Sequence, residues 1–300
     1  NKIIFLTGNP GDGKTHLILK LQKELGNKVK FVTEGGNFVN DLTKLRDSVN
    51  QYYKNKTPAI IAINTGILSS LLQESKNSIW YEEVKDQMYN TVTYEDNKKN
   101  FKSNIIVIDL NFRNNLSKKT VLDTIKKILN VSKPCEGCPG NCLPLYNIKR
   151  LLSDKVQEQL TILLKKVAET GYHATFRDLS AYIAFLIFGN TSCDKQKTGH
   201  TRKIGHLYFE NAFKKPMKLF NSSFLKQIEK FDPIKRTNID IDEKIWHDEI
   251  TPGDWLIKLD GDNSITQLED KKKREWFKRK KRRIFFEYRD ILEKKIDLFE

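Results

Sequence analysis

"GNPGDGKTHL", Gly8 to Leu17, follows almost directly on the apolar stretch "IIFL", Ile3 to Leu6. Gly8, four residues, then Gly13, Lys14 and Thr15 satisfy G-x-x-x-x-G-K-[ST] at every fixed position. A tight surface turn is the plainer explanation of so many glycines, and the flanks decide against it. Ile3 to Leu6 read as a buried strand, and Thr15 to Leu25 read as a helix with Leu17, Ile18, Leu21 and Leu25 on one side. A strand, a glycine loop and a helix in that order make an anion nest, with backbone N–H groups and the helix N-terminus aimed at phosphates. Side chains would block so close an approach, hence the glycines. The expected nucleotide site is Gly8, Asn9, Pro10, Gly11, Asp12, Gly13, Lys14, Thr15 and His16, with Lys14 on the β/γ-phosphates of ATP and the Thr15 hydroxyl on Mg²⁺.

The rest of the chain supports a scaffold for such a loop. Lys28 to Val32, Ala59 to Asn64 and Asn104 to Asn111 read as further strands, and Phe38 to Val49 and Gly66 to Leu72 as helices between them. Strands alternating with helices point to a doubly wound α/β protein with a parallel sheet. Ligands in such sheets sit beyond the carboxyl ends of the strands, where Gly8, Asn64 and Asp109 all fall. The charged stretch from about Gln73 to Ser103 reads as an irregular insertion. From Thr120 the pattern is helical, with further helices expected near 145–170 and over Phe176 to Phe188, Gly189 being a plausible stop. The expected division is a P-loop domain over 1–132, a cysteine-rich loop with a helical lid over 133–230, and a mixed, basic region over 231–300.

Composition bounds the class. Three hundred residues suit one large domain or two smaller ones, with a core that needs no staples. The chain opens on Asn1 rather than Met, which suggests a fragment of a longer protein. No signal peptide is visible, and the longest apolar run, Ala181 to Phe188, is too short to span a bilayer. Four cysteines without a secretory signal suggest a reducing, cytoplasmic setting. A net charge of +15 raises a nucleic-acid partner.

Hydrolysis of ATP needs a carboxylate for Mg²⁺ and a group to orient water. Asp109, after "IIVI", has the chemistry for the first task, since an amide is a poor Mg²⁺ ligand beside a carboxylate. Strand order argues otherwise. In ATPases of the AAA+ type the metal-side carboxylate precedes the polar sensor, which puts Asn64 at the carboxylate and Asp109 or Asn111 at the sensor. Asn64 can equally be a strand-end residue that caps a turn. Glu34 is a weaker acid candidate. Thr65 and Leu110 stand where a catalytic glutamate would follow either strand, leaving the water-activating group unassigned. "TFRDLSAYIAFL" resembles the AAA+ lid helix, in which Arg177 would reach the γ-phosphate, an exposed helix-start arginine being the alternative. Arg113 is a further, weaker candidate.

Two other segments carry chemistry. "CEGCPGNC" sets Cys135, Cys138 and Cys142 in C-x₂-C-x₃-C, and Cys193 follows alone. The four can meet in one tetrahedral, structural Zn²⁺ site, with His200 and His206 as alternative fourth ligands and free thiols or an iron–sulfur cluster as the other readings. "KKKREWFKRKKRR", Lys271 to Arg283, holds ten basic residues against one acid, Glu275. A solvated helix face is the usual meaning of such a run. The expectation here is contact with the DNA backbone, with Trp276 and Phe277 as core anchors or stacking groups.

"GNPGDGKTHL", "AINTGILSSL", "VIDLNFRN", "CEGCPGNCLPLYN", "TFRDLSAYIAFLIFG", Cys193 and "KFDPIKRTNIDID" occur in this order. Together they resemble the DptF family, the P-loop ATPase component of DNA phosphorothioation-dependent restriction systems in bacterial defence. The resemblance runs from about Ile3 to Arg283. The acidic residue that often follows the third-strand asparagine in that family is Thr65 here. The resemblance implies an ATPase that works with other restriction subunits on DNA lacking the protective sulfur; the fold expected is AAA+-like, and a homo-oligomer is a separate expectation. A non-hydrolysing ATP-switch adaptor and a small-molecule kinase are the alternatives. ATP turnover with and without DNA separates the three.

Overall fold

The computed structural model describes residues 2–33, 41–90, 103–131, 143–189, 207–214, 222–247 and 270–288. The protein is α/β, and among the described residues the strands form one all-parallel sheet: β1 (Ile3–Thr7), β2 (Lys30–Thr33), β3 (Ala59–Ala62) and β4 (Ile105–Asp109), in the order β2-β3-β1-β4. The strand that leads into the glycine loop is therefore central. Ile3 to Leu6 face Ala59 to Ala62 of β3, and Ile3 to Thr7 face Ile105 to Asp109 of β4.

Both faces of β1 are apolar, as a strand buried on two sides requires. Ile3 and Phe5 join one cluster, packed on α2 (Leu42–Lys54), α3 (Thr65–Glu74) and α4 (Tyr81–Asn90) through Leu45, Val49, Leu68, Leu71, Trp80 and Val84. Ile4 and Leu6 face the other way, toward Ile18 and Leu21 of α1 (Lys14–Leu25). Helices on both faces agree with the doubly wound expectation at that level of detail. The apolar stripe of α1 is narrower than its sequence suggests. Ile18 is fully buried, but Leu17 and Leu25 are exposed.

Within the range read as an irregular insertion, α4 is a regular helix. Trp80, just before it, and Val84 lie in the core, and Gln87 closes the free side of β4. Its amide donates to Ile105 O at 2.7 Å and accepts from Val107 N at 2.7 Å, as a neighbouring strand would. Charge along 73–103 hid an amphipathic pattern of only two or three turns.

The chain divides into two compact units. One comprises 1–114 with Thr175–Arg177; the other comprises 115–174 and 178–300. The described part of the second is helical: α5 (Lys118–Val131), α6 (Leu143–Leu151), α7 (Asp154–Glu169), most of α8 (Phe176–Phe188), α9 (Tyr208–Ala212), α10 (Ser223–Glu229), α11 (Ile239–Trp246) and α12 (Asp270–Glu287). The apolar run of α8 is its core, with Tyr182, Ile183, Leu186 and Ile187 buried against α7, α9 and the Phe285–Phe286 pair. Asn147, fully buried, donates to Ile187 O at the end of α8 and accepts from Tyr208 N at the start of α9. One side chain thus satisfies two helix-end groups that would otherwise be orphaned. Among the described residues no helix is long and apolar enough to cross a membrane.

Candidate functional site

The loop between β1 and α1 is bent by three glycines in the left-handed half of backbone space: Gly8 at φ 145°, Gly11 at 104° and Gly13 at 88°. Gly13 caps α1, and its carbonyl receives Leu17 N at 3.0 Å. A Cβ at Gly13 would meet no atom within 4 Å. Open space at the N-terminus of a helix is the geometry a phosphate group needs.

Asp12 braces the loop from within. Its carboxylate is buried and accepts from Asn9 N at 2.7 Å. Gly8 leaves room for it, since a Cβ there would stand 3.0 Å from Asp12 Oδ2. Lys14 turns back over the loop. Its ammonium donates to Gly8 O at 2.9 Å, Asn9 O at 3.0 Å and Asn64 Oδ1 at 2.7 Å. Only 6% of the residue is exposed. Thr15, His16, Asn9 and Pro10 are exposed.

The flanking strands deliver the remaining candidates. β3 ends at Ala62, with Asn64 two residues on at the start of α3, and β4 ends at Asp109; the two strands flank β1, and Asp109 is the direct partner of Thr7. Both candidates therefore sit beside the start of the loop, as the carboxyl-end rule requires. They do different things. Asn64 holds Lys14. The half-buried Asp109 carboxylate accepts from Asn111 N at 2.8 Å and caps the tight turn Leu110–Phe112.

Asn111 has a larger part than the sequence suggests. Its side chain accepts from Asn9 N at 3.1 Å and donates to Thr65 Oγ1 at 3.0 Å. The Thr65 hydroxyl lies 3.1 Å from that of Thr7, and Thr65 N donates to Gly8 O at 3.3 Å. Asn111 and Thr65 thus tie both flanking strand ends to the loop. The signal for them was available: each is a polar residue just beyond a parallel strand.

The Thr175–Arg177 segment belongs to the same compact unit as the loop. Arg177 N donates to Gly11 O at 3.2 Å, and a Cβ on Gly11 would stand 3.0 Å from Arg177 Cβ and 3.1 Å from Thr175 Oγ1. Arg177 therefore reaches the loop through its backbone, while the residue itself is exposed. Arg113 is exposed. Glu34, Cys135, Cys138, Cys142, Cys193, His200 and His206 lie outside the described residues. Among the described residues no three His, Cys, Asp or Glu side chains converge on a metal position.

The basic run is a helix, α12, and much of its charge points inward. Lys280, Lys281 and Arg283 are buried. Lys281 Nζ lies 2.6 Å from Asp242 and donates to Arg236 O at 2.6 Å. Arg282 bridges Asp232 at 2.6 Å and Glu210 at 3.1 Å, and Arg283 pairs with Glu287 at 2.9 Å. Burial raises the Glu210 carboxyl above its ordinary value, with Arg282 and Arg279 pulling it partly back. Burial works to depress the Arg282 guanidinium, but Asp232 and Glu210 outweigh it and leave it raised. Trp276 and Phe277 are anchors: both pack on the Ile241, Ile245 and Ile284 cluster, and Phe277 stacks on Trp246 at 4.9 Å. Residues 280–283 are thus engaged inside the protein, and the expected DNA-facing run is not one continuous surface. Arg274 is exposed, and Lys278 is half-buried beside Glu275. Comparisons with family models, with curated proteins and with solved structures find no match.

Proposed function

We propose that the chain binds ATP with Mg²⁺ at the glycine loop and hydrolyses it. The observation that carries this is the loop itself: three positive-φ glycines between a central parallel strand and a helix N-terminus, with a lysine ammonium folded onto them. The residues suit the group. Backbone N–H groups at the start of α1 would receive phosphate oxygens, and Lys14 would neutralise their charge. Thr15 and Asp109 would be the oxygen donors for Mg²⁺, which would supply charge neutralisation on the phosphates when bound. Arg177, exposed and bonded through its backbone to Gly11 O, would add a second positive charge. In the wider reading, which rests on the motif resemblance, the protein is the AAA+-like P-loop ATPase of a phosphorothioation-dependent restriction system, carrying a helical lid and a zinc knuckle.

Equilibrium binding of ATP to the wild type and to Lys14→Ala tests the core of this. Loss of at least tenfold in affinity or turnover, with the melting temperature retained, is expected; unchanged binding sinks the assignment. In turnover assays Asp109→Ala is expected to impair Mg²⁺-dependent hydrolysis more than Asn64→Ala, and the reverse ranking moves the metal's carboxylate role to β3. One observation favours a second reading, an ATP-switch adaptor without hydrolysis: Thr65 and Leu110 hold the positions of a catalytic glutamate. Single-turnover assays with and without DNA separate the two. For the cysteine group, metal analysis showing one zinc per chain is the expected outcome.

A further inference from the structure

Asn64 gives the nucleotide site a property that neither a metal ligand nor a turn cap would. An ammonium has three N–H donors and no acceptor. On Lys14 they are matched by three oxygens: Gly8 O, Asn9 O and Asn64 Oδ1. The Asn64 contact, at 2.7 Å, is the shortest of the three, and it spans fifty positions in sequence. Gly8 O and Asn9 O belong to the loop and move with it. Asn64 lies two residues beyond β3, at the start of α3, and β3 is fixed by its register with β1 and β2. It is therefore an external tether on the lysine.

A lysine so held must surrender contacts before it can serve a phosphate. We propose that Asn64 is a positioning residue that latches Lys14 onto the loop, so that the segment joining β3 to α3 sets the cost of admitting the nucleotide's phosphates. This rests on the nucleotide-binding reading above. The residue type suits a latch. A neutral amide accepts from the ammonium firmly enough to place it and releases it to a more strongly charged phosphate. A carboxylate at this position would form an ion pair with the ammonium and, where no metal ion neutralises it, repel the phosphates. An apolar residue would remove this acceptor and leave the two loop carbonyls without its support. The neighbouring contacts reinforce the register. Thr65 N donates to Gly8 O, the same carbonyl that receives Lys14, and Thr65 Oγ1 is held by Asn111.

The test uses two substitutions at one position and two independent readouts. The first readout is the affinity for ADP in the presence of EDTA, where neither the metal nor a γ-phosphate takes part. Asn64→Ala is expected to bind ADP on the order of fivefold tighter, since a hydrogen bond to a charged group no longer opposes entry. Asn64→Asp is expected to bind it at least tenfold more weakly. The second readout needs no nucleotide: acetylation of Lys14 by acetic anhydride, followed by peptide mass spectrometry with the other lysines as internal standards. Loss of the acceptor makes deprotonation easier, so Lys14 in Asn64→Ala reacts faster than in the wild type, and in Asn64→Asp slower. Melting temperatures confirm that each variant is folded. Opposite signs for the two variants establish the latch. A reactivity of Lys14 that is unchanged in both overturns it, as does ADP binding that is unchanged or weaker in Asn64→Ala. Should the wild type bind neither ADP nor ATP, the functional proposal fails, and the acetylation readout still decides the latch.

Discussion

Gly11 and Gly13 are glycines for different reasons, and substitution separates them. At Gly13 only the backbone objects: φ is 88° and a Cβ would meet nothing. Gly13→Ala is expected to cost about 1–2 kcal/mol, the penalty of a left-handed conformation for an L-residue. At Gly11 the same kind of penalty is joined by crowding against Arg177 Cβ and Thr175 Oγ1. Gly11→Ala should therefore cost more, and it should speed hydrogen exchange at the Arg177 amide, which is bonded to Gly11 O. Urea unfolding with amide exchange checks both. Equal losses with an unchanged Arg177 amide would show that the segment does not brace the loop. Glu210 makes a pH-dependent prediction. Its carboxyl is raised in the folded protein by burial, against the partial pull of Arg282. Just above the ordinary glutamate range the native state then holds more protons than the unfolded chain. Stability falls as pH rises through that window, because its slope follows the protons bound by the unfolded state minus those bound by the native. Unfolding free energies measured across that window should show this decline in the wild type and a smaller one in Glu210→Gln.

At the scale of elements, β4 shows how a strand can be finished by a side chain. Gln87 matches one backbone acceptor and one backbone donor on the side of β4 away from β1. Gln87→Leu keeps the bulk and removes both partners, and is expected to cost about 1–3 kcal/mol. It also leaves Ile105 O and Val107 N without that partner on an edge strand, so concentration-dependent aggregation near the melting temperature should rise; light scattering against the wild type reads it. What the sequence disclosed follows from the same distinction between local and distant partners. The four strands and α8 were legible because continuous apolar runs and a glycine stop are local signals. Lys14, Asn64 and Asp109 were legible as strand-end and loop residues for the same reason. Gln87 was not, because its partners are backbone atoms on another element. Neither were the Asn111 bridge to Asn9 and Thr65, or the backbone approach of Arg177 to Gly11. Each depends on which strands become neighbours, and the order β2-β3-β1-β4 is not written in any local pattern.

At the scale of the whole molecule, a charge of +15 says less about a partner than where the charge lies. Lys281, Arg282 and Arg283 on α12 are matched by Asp242, Asp232, Glu210 and Glu287 inside the second unit. Removing one member of a buried pair costs more than the pair is worth, because the other charge is left uncompensated. Arg282→Ala, stripping both Glu210 and Asp232 of their partner, is therefore expected to cost about 3–5 kcal/mol. A loss below about 1 kcal/mol would mean these groups behave as a surface pair. The same geometry separates stability from DNA binding along one helix. Arg274 is exposed and Lys278 half-buried, whereas Lys281 is buried on Asp242. If DNA docks on this helix, Arg274→Glu with Lys278→Glu should weaken binding to all sequences alike, at little cost in melting temperature. The dependence of log affinity on log salt should flatten by about 0.9 for each phosphate no longer neutralised. Lys281→Ala should do the converse: lower the melting temperature and leave the salt slope of the folded fraction unchanged. Affinity measured by fluorescence anisotropy at several salt concentrations, beside thermal melts of the same preparations, gives both quantities. A salt slope that survives the double charge reversal would remove α12 from any DNA interface and leave its basic residues as internal supports of the second unit.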